Sequence, residues 1–441
     1  MGRRSEEFYR EACKYLPGGV NSPVRAFKAV GGTPFFVAKG KGSRLWDVDG
    51  NEYIDFCLSY GAMTAGHCNP RIVEALRKQL EDGTLLGVPS PRVGGPAKEI
   101  MRRFPCVEVL RFTNSGTEAT MHVIRLARAV TRRNMIVKME GAYHGAHDYL
   151  LISDKPGRMV LMGSVRNPAT TADSLGIPEE VVKLTLVVHF NDADCLERAL
   201  KKHENEVAAV ITEPIMTNSG VILPGEGYLK EVRRLCDEYG VLLIIDEVKT
   251  GFNATPPAAF SLYNIEPDLV TFGKVVGGGT PLAAFGGKRE FMEEILPLGG
   301  AIHFGTYNAN PLCVAAGLTA LKEIFTSNTY SEMCKLNDQL YKGVKDAVED
   351  LKIKAAVVKV GNMGSIFFGL DELPRNFREA FKCDKFMWYR YWINMINRGV
   401  IPYGGAWFEE WFVSAMHTKE DVDVTIEKTM DTFKVLKSTS R

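Results

Sequence analysis

Lys274 ends the apolar run Leu269-Val270-Thr271-Phe272-Gly273 and opens a glycine turn through Val275-Val276-Gly277-Gly278-Gly279. An ammonium at the end of a buried strand loses its hydration, so it needs a partner or a chemical use. Desolvation also lowers the pKa of a lysine, which suits one that works as nucleophile or base. Asp246 closes a second such run, Val241-Leu242-Leu243-Ile244-Ile245. A carboxylate there needs a cation or several hydrogen bonds, and a structural Asp–Lys ion pair satisfies both groups. Thr113-Asn114-Ser115-Gly116-Thr117-Glu118-Ala119 leads from a strand into a helix. Small and hydroxyl residues at a helix N-terminus leave free N–H groups at a positive dipole end, which is a phosphate site. The same residues also make an ordinary N-cap. Neither a GxxxxGK[ST] loop nor a GxGxxG fingerprint occurs. Ala142-Tyr143-His144-Gly145 follows a further apolar run. An aromatic ring beside a phosphate pocket can stack on a flat ligand, and a Tyr and His packed in a sheet's rim look the same in sequence.

The elements that must position these residues alternate. Strand-like runs fall at "VEVLRF", "NMIVKM", "LTLVVHF", "VAAVIT", "VLLIID" and "DLVTFG". Between several of them lie amphipathic patterns. The clearest carries Tyr228, Leu229, Val232, Leu235, Cys236 and Tyr239 and is closed by Gly240. This alternation predicts an α/β fold, with a mostly parallel mixed sheet flanked by helices. Ligands then gather at the carboxyl ends of the strands, where all four candidate groups stand. Before this region, "FFVAKGKGSRLWDVDGNEYIDF" reads as a β-meander, and Ile72, Val73, Leu76 and Leu80 mark a helix stopping at Gly83. The last helix is expected to start at Thr418, with Asp421 three residues on. The chain divides into a small N-terminal segment (1–65), a large domain (66–315) and an α+β C-terminal domain (316–441).

The composition excludes several function classes. In 441 residues, 54 Lys and Arg nearly balance 53 Asp and Glu. That balance gives no footprint for a nucleic acid or an acidic membrane, and points to a small-molecule partner. The nine cysteines are scattered, which suits free thiols in a reducing compartment. With no apolar signal core at the N-terminus and no run long enough to span a bilayer, a cytoplasmic location is expected.

A phosphate cradle, a stacking aromatic, a buried carboxylate and a lone lysine are together what pyridoxal phosphate needs: the lysine for a Schiff base, the carboxylate to keep the pyridine nitrogen protonated. The sequence resembles the class III aminotransferases of PLP fold type I, and within them the branch containing glutamate-1-semialdehyde aminomutase. The stretches that carry the resemblance include "PGGVNSPVRAF", "WDVDGNEYIDF", "AGHCNP", "RFTNSGTEAT", "YHG", "EPIMTNSG", "DEVKTGF", "DLVTFGKVVGGGTPLAAFGG" and "GTYNANP". They span roughly residues 15–320. The resemblance implies that Lys274 is the Schiff-base lysine and Asp246 the partner of the pyridine nitrogen. Ser115, Gly116 and Thr117 would hold the phosphate, Tyr143 would stack on the ring and Val248 would pack on its other face. Asn218 would lie near the ring hydroxyl, with Glu213 behind it. Thr306 would reach the phosphate of a neighbouring subunit in a homodimer with shared active sites. Arg25, Tyr60 and Glu409 would meet the substrate, Arg25 through a carboxylate.

Departures from the branch bear on the reaction. Tyr60 stands where the aminomutase has tryptophan, and Lys249 and Asn253 alter its "DEVMTGFR" motif. "ISDKPGRMVLMGSV" replaces its Gly/Ser-rich gating loop, which retains a diamino intermediate. These differences predict ordinary transamination between an amine or amino acid and a keto acid such as pyruvate, as in omega-transaminases. Trp407, Phe408 and Trp411 would add an apolar wall for bulky amines, or simply pack the C-terminal domain. Glutamate-1-semialdehyde 2,1-aminomutase is the alternative, an amino-acid racemase a third possibility. A non-catalytic PLP- or anion-binding protein is opposed by the Lys274 and Asp246 pair.

Overall fold

A computed structural model of the chain describes residues 2–28, 30–155, 159–254, 258–405 and 407–438. The chain forms two compact units, Arg71–Thr326 with Pro374–Phe381, and Met1–Pro70 with Ser327–Leu373 and Lys382–Arg441.

The first unit is built on a seven-stranded sheet: β1 (Val109–Thr113), β2 (Met135–Met139), β3 (Thr185–Val188), β4 (Val207–Thr212), β5 (Leu242–Asp246), β6 (Leu269–Phe272) and β7 (Ala283–Gly287). Their order is β1-β7-β6-β5-β4-β2-β3. β7 runs antiparallel to both its neighbours, and the other pairs are parallel. The α/β architecture therefore follows the alternation in the sequence. β4, β5 and β6 are buried at every residue, as a strand covered on both faces must be. The helix α1 (Gly116–Thr131) turns Ala119, Val123, Ile124, Leu126 and Ala127 onto Ile136, Ile211, Ile244, Leu269 and Phe285. Each fully buried Leu, Ile or Phe of this cluster contributes about 1.5–3 kcal/mol.

β7 has no counterpart in the sequence reading. Its residues, Ala-Ala-Phe-Gly-Gly, have low strand propensity. Sterics explain them: a Cβ at Gly286 would come within 2.6 Å of the Val109 carbonyl oxygen, and one at Gly287 within 2.2 Å of that of Asp268.

In the second unit, Val37–Lys41, Arg44–Asp47 and Glu52–Asp55 form the expected antiparallel meander, extended by Val400–Ile401. A three-stranded sheet of Ala355–Val360, Met363–Phe368 and Trp411–Phe412 lies with the helices Ser327–Leu351, Lys385–Ile396 and Lys419–Ser438. The last helix has its capping box: the Asp421 N–H donates to Thr418 Oγ1 at 3.1 Å, and the Thr418 N–H to Asp421 Oδ2 at 3.0 Å. The Trp411 indole N–H donates to Asn337 Oδ1 at 2.7 Å in the interior, so this ring is core.

Candidate active site

β5 and β6 run side by side in register, Asp246 opposite Thr271, so the residues following each strand emerge at one edge. A cavity of about 180 Å³ opens there.

Lys274 enters it directly from β6. Gly273 is extended, and Lys274 itself takes φ 49°, a left-handed conformation that costs a residue with a Cβ on the order of 1–2 kcal/mol. Such strain is retained where the surroundings fix a functional side chain. Asp246 comes from β5 and is buried. Its Oδ2 lies 2.7 Å from His144 Nδ1. Its Oδ1 accepts from Thr271 Oγ1 at 2.8 Å and from the Val248 N–H at 3.0 Å. Burial pushes this carboxyl up, but the bonds from His144, Val248 and Thr271 outweigh it and hold it below the usual carboxylate range. The site thus keeps a fixed negative charge in a place poor in water.

The strand-to-helix turn after β1 and the turn after β2 form one wall. Ser115 caps α1, its Oγ accepting from the Glu118 N–H at 3.2 Å. Thr117 Oγ1 accepts from the Ala146 N–H at 3.2 Å. A Cβ on Gly145, at φ +105°, would sit 2.7 Å from Thr117 Cα, and one on Gly116 would sit 2.9 Å from Val248 Cγ1. Gly145 lets its backbone approach that of Thr117, Gly116 leaves room for the Val248 side chain, and α1's first N–H groups face the cavity as an anion site. Tyr143 lines the cavity, and burial pushes its phenol up. Asn218 Nδ2 donates to the Tyr143 carbonyl and to Glu213 Oε1, both at 3.3 Å. Glu213 is fully buried, which raises its carboxyl despite nearby His144 and the Thr217 hydroxyl.

The structure therefore brings Gly116, Thr117, Tyr143, Glu213, Asn218, Asp246, Val248 and Lys274 to one cavity. Ser115 is at its edge as the cap and does not line it. Thr306 is exposed and lines a different cavity, with Leu85, Leu86 and Val88. Sequence reasoning missed Thr120, Lys249 and the part played by His144. His144 is held from below, its carbonyl accepting from Thr120 Oγ1 at 2.6 Å. Its Nε2 has no hydrogen-bond partner among the described residues. The signal was present: His144 adjoins Tyr143 at a strand end, but nothing in the chain's order shows which distant carboxylate it meets.

Arg25, Tyr60 and Glu409 belong to the second unit and form their own cluster there. Burial and the charges of Cys57 and Glu409 push the Tyr60 phenol up, while the Arg25 charge pulls it down. Leu58, Ser59, Tyr60 and Gly61 all have positive φ, 45° to 82°, a left-handed turn that presents Tyr60. A Cβ on Gly404 would meet its ring at 2.2 Å. Of the segment "ISDKPGRMVLMGSV", residues 156–158 lie outside those described. Its start is tied down by Lys138, which is fully buried and donates to the Leu150 and Ile152 carbonyls.

These residues fit pyridoxal phosphate. An ionised, buried carboxylate suits a pyridinium nitrogen, free N–H groups at a helix start suit a phosphate, and Lys274 supplies the amine.

Comparison with known proteins agrees with this geometry. The family described as aminotransferase class-III matches residues 27–383. The "Glutamate-1-semialdehyde 2,1-aminomutase" of Aquifex aeolicus is 43% identical over 434 residues, 98% of this chain and 100% of the relative. An omega-transaminase from Sphaerobacter thermophilus superposes with a TM-score of 0.90 at 30% identity, covering 98% of both chains. A glutamate-1-semialdehyde-aminomutase from Pseudomonas aeruginosa PAO1 in complex with PMP gives 0.88 at 28%, covering 98% of this chain and 94% of the other. Seven further relatives, 41–44% identical over 96–98% of the chain, carry the same aminomutase name as the Aquifex protein. This corrects the expectation of an omega-transaminase. That expectation rested on Tyr60, Lys249, Asn253 and one replaced segment, and similarity along the whole chain to aminomutases outweighs these local differences.

Proposed function

The chain belongs to the class III aminotransferase family and uses pyridoxal phosphate, and from that premise we propose that it is a glutamate-1-semialdehyde 2,1-aminomutase. The observation that carries the reading is the full-length similarity, above 40% identity, to aminomutases from many sources.

The net reaction is an isomerisation in which the amino group of the product stands on what was the aldehyde carbon, giving 5-amino-4-oxopentanoate. When bound, the cofactor supplies a carbonyl that condenses with amines and a ring that takes up the electrons of a substrate carbanion. Lys274, which lines the cavity, would move a proton to and from the reacting carbon through its Nζ. Asp246 provides the fixed negative charge for the ring nitrogen, held ionised by His144, Thr271 and the Val248 N–H. Gly116 and Thr117 hold the phosphate at the start of α1, with Ser115 capping the helix behind them. Tyr143 and Val248 would hold the ring from the cavity walls, and Asn218, backed by Glu213, would meet its polar edge. Arg25 takes the substrate carboxylate in a forked contact, with Tyr60 and Glu409 beside it.

The working form is a homodimer. Val88, Ile302, Phe304 and Tyr307 are exposed by 71%, 50%, 72% and 60% around the loop that carries Thr306. Exposed apolar side chains of this kind favour burial against a second copy, with Thr306 reaching the partner's phosphate. Nine free cysteines support a cytoplasmic setting. Among the described residues no helix is long and apolar enough to cross a membrane.

Incubation with glutamate-1-semialdehyde alone tests the reading. Many turnovers per protomer to 5-amino-4-oxopentanoate, with no keto acid present, are expected. Product limited to one equivalent per cofactor would reject the reading.

A further inference from the structure

A second lysine shares the cavity with Lys274. Lys249 stands three residues after Asp246 and is only 3% exposed. Its Nζ donates to Asn218 Oδ1 at 3.3 Å. The Asn218 amide nitrogen faces the other way, toward the Tyr143 carbonyl and Glu213 Oε1. A carboxamide has one acceptor end and one donor end, so a flip would set donor against ammonium and acceptor against carbonyl and carboxylate. Lys249 therefore fixes which end of Asn218 is turned to which neighbour. It also supplies charge. Glu213 is faced by His144, Asp246, Lys138 and Lys249 and is bonded to Thr217; burial raises its carboxyl on balance, and the Lys249 charge pulls it the other way.

We propose that Lys249 is a positioning residue of the cofactor pocket, its buried Nζ orienting the Asn218 carboxamide and setting a positive charge near Glu213, so that pyridoxal phosphate meets a fixed edge. The proposal rests on the cofactor and not on which amino compound reacts. Its test is therefore independent of the aminomutase reading. Neither the conformation of Asn218 nor the charge on Glu213 requires Lys249 to touch the reacting atoms.

The experiment is titration of the cofactor-free protein with pyridoxal phosphate, followed by fluorescence quenching, from pH 6 to 8.5. It is paired with the pH dependence of the visible absorption band of the loaded protein. Lys249→Met should weaken cofactor binding tenfold or more and add a pH dependence across this range, because the Glu213 carboxyl loses a charge that lowers it. That new dependence should vanish in Lys249→Met/Glu213→Gln. Lys249→Arg keeps the charge and should bind within threefold of the parent. If Lys249→Met does not fold, Lys249→Gln replaces it with the same expectations. Binding and pH profile unchanged in the neutral variant would overturn the proposal. So would an equal loss in Lys249→Arg, because shape and not charge would then be at work.

Discussion

At the scale of single residues, chemistry is set by which charges are buried and what bonds accompany them. Asp246 and its neighbour Glu247 make the contrast. Asp246 is drawn to the charged form by His144. Glu247 is equally buried and receives the Thr250 hydroxyl and the Phe260 N–H, yet burial pushes its carboxyl to about 7. The folded pKa exceeds the unfolded value near 4.3, so Glu247's contribution to stability is full below that value and lost as pH rises through about 7. Roughly 4 kcal/mol is at stake over that window. Glu247→Gln should therefore gain stability relative to the parent between pH 5 and pH 8 in denaturant melts. A difference constant with pH would contradict the assignment. Lys274→Ala should still bind pyridoxal phosphate without a covalent link, while turnover falls by about 10³ or more. Borohydride reduction followed by peptide mapping checks the attachment, and undiminished turnover would remove Lys274 from its role.

At the scale of elements, the site depends on backbone geometry that side-chain patterns report unevenly. β4, β5 and β6 were legible because strands covered on both faces are continuous apolar runs, and Asp246 and Lys274 were legible as charges closing such runs. β7 was not, because close approach to β1 and β6 selects glycine at Gly286 and Gly287, and glycine reads as a turn. His144 and Lys249 escaped for another reason. Their roles come from contacts with Asp246, 102 residues away, and Asn218, 31 residues away, and no local period encodes those. The glycine turn after β2 offers a test at this scale. Gly145→Ala would place a methyl 2.7 Å from Thr117 Cα at a φ of +105°. Cofactor affinity should fall at least tenfold, with the far-ultraviolet circular dichroism of the fold retained. Unchanged affinity would show that the Thr117 backbone does not shape the phosphate site.

At the scale of the whole molecule, the claims concern assembly and reaction. The apolar face around Thr306 predicts a solution mass twice the 48.9 kDa of the chain by light scattering. Charged substitutions at Phe304 and Tyr307 should produce monomers with impaired cofactor retention; a monomeric parent with full activity would refute shared sites. The central claim is that amino nitrogen ends on the five-carbon skeleton and is not passed to a keto acid. The measurement that tests it most directly gives the protein glutamate-1-semialdehyde and an excess of pyruvate together and follows both nitrogen-bearing products. The amino group is expected in 5-amino-4-oxopentanoate, with alanine no more than a trace. Alanine formed in step with substrate consumption would contradict it and return the protein to intermolecular amino transfer.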